Sequence, residues 1–207
     1  MKVLWNEILE LINNSSKKKQ IEINEPSDFS MVSRLGLEKD SVIGQIIANT
    51  KGIIIDNTVR ILGSGEKNKY TSIEQYNNEV GKYLGNDFFI IADDVFGGVF
   101  AFKKTGINEG STIYYLAPDT LEWEDLEIVY VEFLTFFLND KSNNFYETFK
   151  WESFSKDTED INPDQGILIY PYLWSKECNI EEASKKAVPI IELIQLNIEF
   201  RKKFGIE

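Results

Sequence analysis

The 207 residues contain no histidine, and that absence excludes more chemistry than any motif present supplies. Histidine is the commonest proton shuttle near neutral pH and the commonest transition-metal ligand. Without it neither a Ser-His-Asp nor a Cys-His site can be assembled. The single cysteine, Cys178, cannot close an internal disulfide, and carboxylates with one thiolate match no recognisable zinc site. No metal and no cofactor are expected. Long apolar runs are also missing, since none approaches the roughly 20 residues that span a bilayer. The opening Met1-Lys2-Val3-Leu4-Trp5-Asn6-Glu7 lacks the unbroken apolar stretch of a secretory signal, so a soluble cytoplasmic protein without a membrane partner is expected. Basic residues are few, 22 against 34 acidic, for a formal charge of −12. Phosphate backbones call for a basic stripe, which disfavours nucleic acid as a partner.

What is present fits one domain over residues 1–207 with a hydrophobic core of its own. Leu4, Ile8, Leu11 and Ile12 recur at helical spacing, with Lys17, Lys18 and Lys19 after them, and predict a first helix docked on the body. An irregular lead-in runs to about Lys39. Ser41 caps a second helix carrying Val42, Ile43, Ile46 and Ile47, and Gly52 stands where a left-handed cap would end it. From Ile53 to Leu62 a period of two predicts one strand, bent at Asp56-Asn57 and ended by Gly63-Ser64-Gly65. Ser72 with Gln75, or Thr71 with Glu74, opens a third helix that Gly85-Asn86-Asp87 stops.

Phe88 to Ala92, Val99 to Phe102 and Ile113 to Ala117 are short β-rich runs separated by Asp93-Asp94-Val95-Phe96-Gly97-Gly98 and by a loop from Gly106 to Gly110. They predict an antiparallel meander closed by Pro118-Asp119 and covered by helices on at least one face. Past an acidic link, Tyr130, Phe133, Leu134 and Phe137 form a helical stripe, and Phe145, Tyr146 and Phe149 a shorter one. Trp151 to Gly166 reads as a long loop, Ile167 to Tyr170 as an extra strand ended by Pro171, and Pro189 as the first residue of a last helix. The fold class is therefore α+β, a mainly antiparallel sheet flanked by helices. The lead-in occupies 1–40, the core 41–150 and a C-terminal extension 151–207.

The acidity is concentrated. Between Asp119 and Asp164 thirteen carboxylates face three lysines, which is nearly all of the excess, and Trp123, Trp151 and Trp174 lie in or just beyond this stretch. Charge for solubility and rings for the core are one account. A recognition face is the other, because acids steer a basic partner while aromatic anchors supply binding energy. Its candidate residues are Asp119, Glu122, Trp123, Glu124, Asp125, Trp151 and Trp174.

Catalytic patterns are weak by comparison. Asp93, Asp94 and Asp119 could converge as an acid/base or ligand site, although Asp-Asp before Gly-Gly is more often turn chemistry. Gly63-Ser64-Gly65 with Lys67 and Lys69 faintly suggests a phosphate cradle but lacks the spacing of known phosphate loops. Cys178 reads as an incidental thiol.

The string from Ala92 through Asp93-Asp94-Val95-Phe96-Gly97-Gly98 to Phe102, followed by Ile113-Tyr114-Tyr115-Leu116-Ala117-Pro118-Asp119 and Thr120-Leu121-Glu122-Trp123-Glu124-Asp125-Leu126, resembles a bacterial family known only as a domain of unknown function. Phe145 to Trp151, Asp164 to Ile167 and Tyr170 to Trp174 extend the resemblance over most of the chain from about Leu35. A broader pattern is similar to the SUKH superfamily, with Asp94, Gly97, Gly98, Ile113 to Leu116 and Tyr130 to Leu138 in the corresponding places. That resemblance implies a SUKH-like core used as a binding scaffold, as in immunity proteins of bacterial toxin systems, although the block after Trp151 exceeds a minimal domain of that kind. The leading expectation is a non-enzymatic interaction module that binds a basic protein or toxin. A small-ligand enzyme or sensor, and a structural homo-oligomer, are the other readings.

Overall fold

The spacing of Ile8 and Ile12 buries one side of α1 (Trp5–Asn14) in the computed structural model, which describes residues 4–67, 69–84, 87–104 and 110–206. The lead-in behind α1 is more ordered than its sequence suggests, with β1 (Lys19–Ile23) and α2 (Ser30–Arg34). Both are short, and β1 follows a run of lysines, so periodicity has little to register there. Ser41 caps α3 (Val42–Asn49) as expected, its hydroxyl accepting the Gly44 N–H.

Gly52 does not end that helix. The chain leaves α3 at Thr50 in extended conformation and runs straight into β2 (Thr50–Ile55), where Gly52 is a strand residue lying against the Tyr70 ring. The β-branched run Thr50, Ile53, Ile54 and Ile55 favours strand over a further helical turn. The single bent strand is likewise a hairpin of β2 and β3 (Val59–Leu62). Asp56 and Asn57 take φ of 51° and 52°, which their short polar side chains tolerate, and the Thr58 N–H closes the turn on the Ile55 carbonyl.

Ser72 caps α4 (Ile73–Glu79) through the Gln75 N–H, while the Gln75 side chain turns to Glu79 and leaves the capping box open. Of the expected stop, Gly85 and Asn86 lie outside the described residues, as do positions 106–109 of the Gly106 to Gly110 loop. The meander is present as β4 (Phe88–Asp94), β5 (Val99–Lys103) and β6 (Ile113–Leu116). It does not close at Pro118-Asp119: the acidic link is itself a strand, β7 (Trp123–Asp125), antiparallel to β6. Charge at three of the four positions 122–125 hides it, since an edge strand can carry acids that an interior strand cannot.

The seven strands lie in chain order, each antiparallel to its neighbours. α5 (Tyr130–Phe137) and a 3-10 helix (Asp140–Tyr146) pack on one face, where Phe100 meets Phe133, Phe137 and Tyr115. The opposite face receives α4 and the C-terminal block. The expected loop from Trp151 to Gly166 contains α6 (Phe154–Asp157), and Gln165 already begins β8 (Gln165–Tyr170). Among the described residues the strand partner of β8 is β9 (Ser184–Pro189), which gives no sequence signal because its Lys185 and Lys186 interrupt any alternation. Pro189 ends β9 and caps α7 (Ile190–Lys203), one position before the place assigned to it. Ile190, Ile194 and Ile198 face inward, and one hydrophobic core runs from Ile8 to Ile198.

Candidate functional site

Asp93 and Asp94 are consecutive on β4, so their side chains project to opposite faces of the sheet. Both are buried. On one face Asp93 accepts the Arg60 Nε–H at 2.5 Å and the Tyr76 hydroxyl at 2.5 Å. Arg60 also donates to the Pro163 and Gln165 carbonyls, tying β3 to the entry of β8. Burial raises the Asp93 carboxyl, against the Arg60 charge and the Tyr76 and Arg60 hydrogen bonds.

On the other face Asp94 Oδ1 accepts the Phe96 and Gly98 N–H groups, both at 2.9 Å. Its Oδ2 accepts the hydroxyls of Tyr115 at 2.7 Å and Tyr146 at 3.1 Å. Burial pushes this carboxyl up to about 6, opposed by the Tyr115 and Gly98 hydrogen bonds. The glycine pair follows from this geometry. Gly97 sits at φ 88°, and a Cβ on Gly98 would stand 2.3 Å from Asp94 Oδ2 and 2.5 Å from the Tyr115 oxygen. The Asp-Asp-x-x-Gly-Gly string thus builds a turn and two buried polar networks.

Those networks do not join with Asp119 into one cavity. Asp93 lines a narrow cleft with Arg60, Tyr76, Tyr70, Pro163 and Ile190, whose interior has room for about one water. Asp94 is wholly enclosed, and Asp119 is half-buried in the turn between β6 and β7. Among the described residues no group of three or more Cys, Asp and Glu side chains is arranged to hold a metal ion. Gly63-Ser64-Gly65 offers no cradle either: the Ser64 and Gly65 N–H groups are bonded to the Thr50 and Lys51 carbonyls, and Lys69 pairs with Glu22 and Glu66. Cys178 is half-buried, and burial raises its thiol pKa, which lowers its reactivity.

The acidic candidates gather at one edge. Glu122, Glu124 and Asp125 are exposed on or beside β7, with Trp123 between them half-buried and stacked on Phe88 at 3.9 Å. Partial burial, then the like charges of Asp119 and Glu122, raise the Glu124 carboxyl. Asp125 is partly occupied, accepting the Thr112 hydroxyl and the Glu127 N–H. Two tryptophans lie elsewhere. Trp151 is buried, its indole N–H bonded to Asp157, and it serves the core rather than a surface. Trp174 packs with Tyr172, Phe200 and Phe204 in a C-terminal aromatic cluster.

Sequence reasoning missed Arg60, Tyr76, Tyr115, Tyr146 and Arg201. A lone arginine inside the apolar strand Val59-Arg60-Ile61-Leu62 is the one clear signal, because such a charge needs a buried partner. Arg201, buried near the end of α7, donates to the Leu121 carbonyl and holds the residue that leads into β7. Leu121 and Glu127, on either side of β7, take φ of 59° and 56°, a left-handed conformation uncommon for such side chains.

Residues 2–193 match the model of a family described as a protein of unknown function, DUF2625. The Escherichia coli (strain K12) protein YbfG, itself described as uncharacterized, is 30% identical over 185 residues, covering 88% of this chain and 84% of the relative. An uncharacterized protein of Haemophilus influenzae (strain Rd) is 32% identical over 178 residues, covering 80% of this chain and 75% of the relative. No solved structure matches. None of these findings extends to the SUKH superfamily.

Proposed function

The chain belongs to the DUF2625 family, and we propose from its own geometry that it is a non-enzymatic interaction module that captures a basic protein through the acidic edge around β7. The observation that carries this reading is the excess of negative charge there. Glu122 and Glu124 are exposed, crowd one another with Asp119, and have no salt-bridge partner among the described residues. The nearby Arg201 attracts Glu122 but is itself largely buried and donates to the Leu121 carbonyl, so one cation stands against the group of carboxylates there. A basic partner relieves that crowding and is steered by it.

An immunity-like role in the cytoplasm, implied by the SUKH resemblance, is one form of this function. No helix is long and apolar enough to cross a membrane among the described residues. The rival ligand site of Asp93, Asp94 and Asp119 draws no support from the geometry, since the first two face opposite ways and each is already hydrogen-bonded.

Affinity capture at low and moderate salt, with the wild type beside a Glu122→Lys, Glu124→Lys variant, tests the reading. One basic protein retained in stoichiometric amount by the wild type and released by the variant is the expected outcome. Equal retention by both would remove β7 as the interface.

A further inference from the structure

We propose that β7 is a strand-addition site, on whose outer edge an extended basic segment of the partner protein pairs as an eighth strand of the sheet. This rests on the interaction reading above and specifies how the partner is held. Alternation in the β6–β7 ladder fixes which backbone groups are available. The Ala117 N–H bonds the Glu122 carbonyl and the Leu126 N–H bonds the Ile113 carbonyl, so Glu122, Glu124 and Leu126 turn their backbone toward β6. The N–H and C=O groups of Trp123 and Asp125 therefore point the other way, where no strand among the described residues pairs with them. Two residues spaced by two, each offering a donor and an acceptor, are what an added strand uses.

The edge is also presented in a fixed shape. Leu121 and Glu127 hold left-handed corners at its two ends. Arg201 secures the first through the Leu121 carbonyl, and the Asp125 carboxylate secures the second through the Glu127 N–H at 2.9 Å. A strand held at both ends loses little freedom on pairing.

Charge selects the occupant. Glu122 and Glu124 share one side of β7 by alternation, with Asp119 near them. A second copy of the chain would place β7 against β7 and set carboxylate beside carboxylate, which is repulsive. A segment with Lys or Arg at every second residue puts its cations on that side instead. Its intervening residues fall on the Trp123 side, where the indole stacked on Phe88 offers an apolar surface.

The probe is a synthetic seven-residue peptide alternating Arg with Thr, compared with the same peptide N-methylated at the amides that would face β7. Affinity is measured by titration and amide exchange by nuclear magnetic resonance. The unmodified peptide is expected to bind and to slow exchange at Trp123 and Asp125, and N-methylation to weaken binding about tenfold or more. Equal binding by both peptides would overturn strand addition while leaving the acidic-face reading intact. Failure of both to bind would overturn strand addition as well, and the capture experiment above then decides the broader reading alone.

Discussion

Arg60 and Asp93 are direct cross-strand partners in the β3–β4 ladder, and their side chains meet at 2.5 Å in the interior of the protein. This pair is a junction as well as an ion pair, because the same guanidinium reaches the Pro163 and Gln165 carbonyls and the same carboxylate accepts Tyr76.

Asp93→Ala leaves a buried guanidinium without its counter-charge, and a loss of about 3 to 5 kcal/mol is expected in denaturant unfolding. Replacing both partners by apolar residues often restores stability at simpler buried pairs. Here Arg60→Met with Asp93→Leu is expected to stay well below wild type, since two carbonyls and the Tyr76 hydroxyl lose their partners. Full recovery in the double variant would show that the junction contributes nothing beyond the pair.

Asp94 gives the protein a pH dependence of definite sign. Its carboxyl titrates at 3.8 when unperturbed and is pushed up to about 6 in the fold by burial, so the native state holds the extra proton between those values. Its contribution is complete below about pH 4 and is lost as pH rises through 6, by about 3 kcal/mol. Asp94→Asn keeps the shape and can donate to the tyrosine oxygens without titrating. Urea unfolding at about pH 4 and pH 7 is expected to show a smaller difference in this variant. An undiminished difference would assign the effect to other groups, of which Asp93 and Glu124 shift in the same direction.

Gly98→Ala is expected to cost about 2 to 4 kcal/mol, because the added methyl displaces Asp94 from the Tyr115 hydroxyl. Gly36→Ala is the comparison. That glycine has φ 68° and nothing within 4 Å, so only a backbone penalty of about 1 kcal/mol applies. Equal thermal shifts in the two variants would mean that crowding at Gly98 is absorbed elsewhere.

Arg201→Met removes the side-chain bond to the Leu121 carbonyl. Faster amide exchange confined to β7 and its corners is expected, with a global loss of about 1 to 3 kcal/mol. Exchange at β7 that matches wild type would show that the left-handed corner holds without the clamp.

Much of the sheet was legible because its interior strands carry the pattern that burial demands. Phe88 to Ala92, Val99 to Phe102 and Ile113 to Leu116 are apolar nearly throughout, and Gly97-Gly98 marks the turn between the first two. The strands that escaped notice, β1, β7 and β9, each border a sheet and carry charge, where hydrophobic alternation is not required. Asp56-Asn57 registered as a bend but not as a reversal, because the difference lies in the sign of φ. At the candidate site, the acids were visible as composition, but their gathering on an open edge depends on β6 being there to pair with. Trp151 shows the reverse. Composition grouped it with the surface acids, and packing against Phe154 placed it inside.

Strand order equal to chain order has a consequence for assembly. A meander needs no crossover, so each strand can dock on its predecessor as soon as it is synthesised, and the topology allows the sheet to grow outward from β1 toward β7. Arg60 is exempt from that order. Its counter-ion arrives with β4, but its last two acceptors belong to Pro163 and Gln165, 103 and 105 residues beyond Arg60 itself. A nascent chain that has finished the whole sheet therefore still carries an arginine with unfilled donors, and the C-terminal third acts as the latch that completes a core laid down long before it.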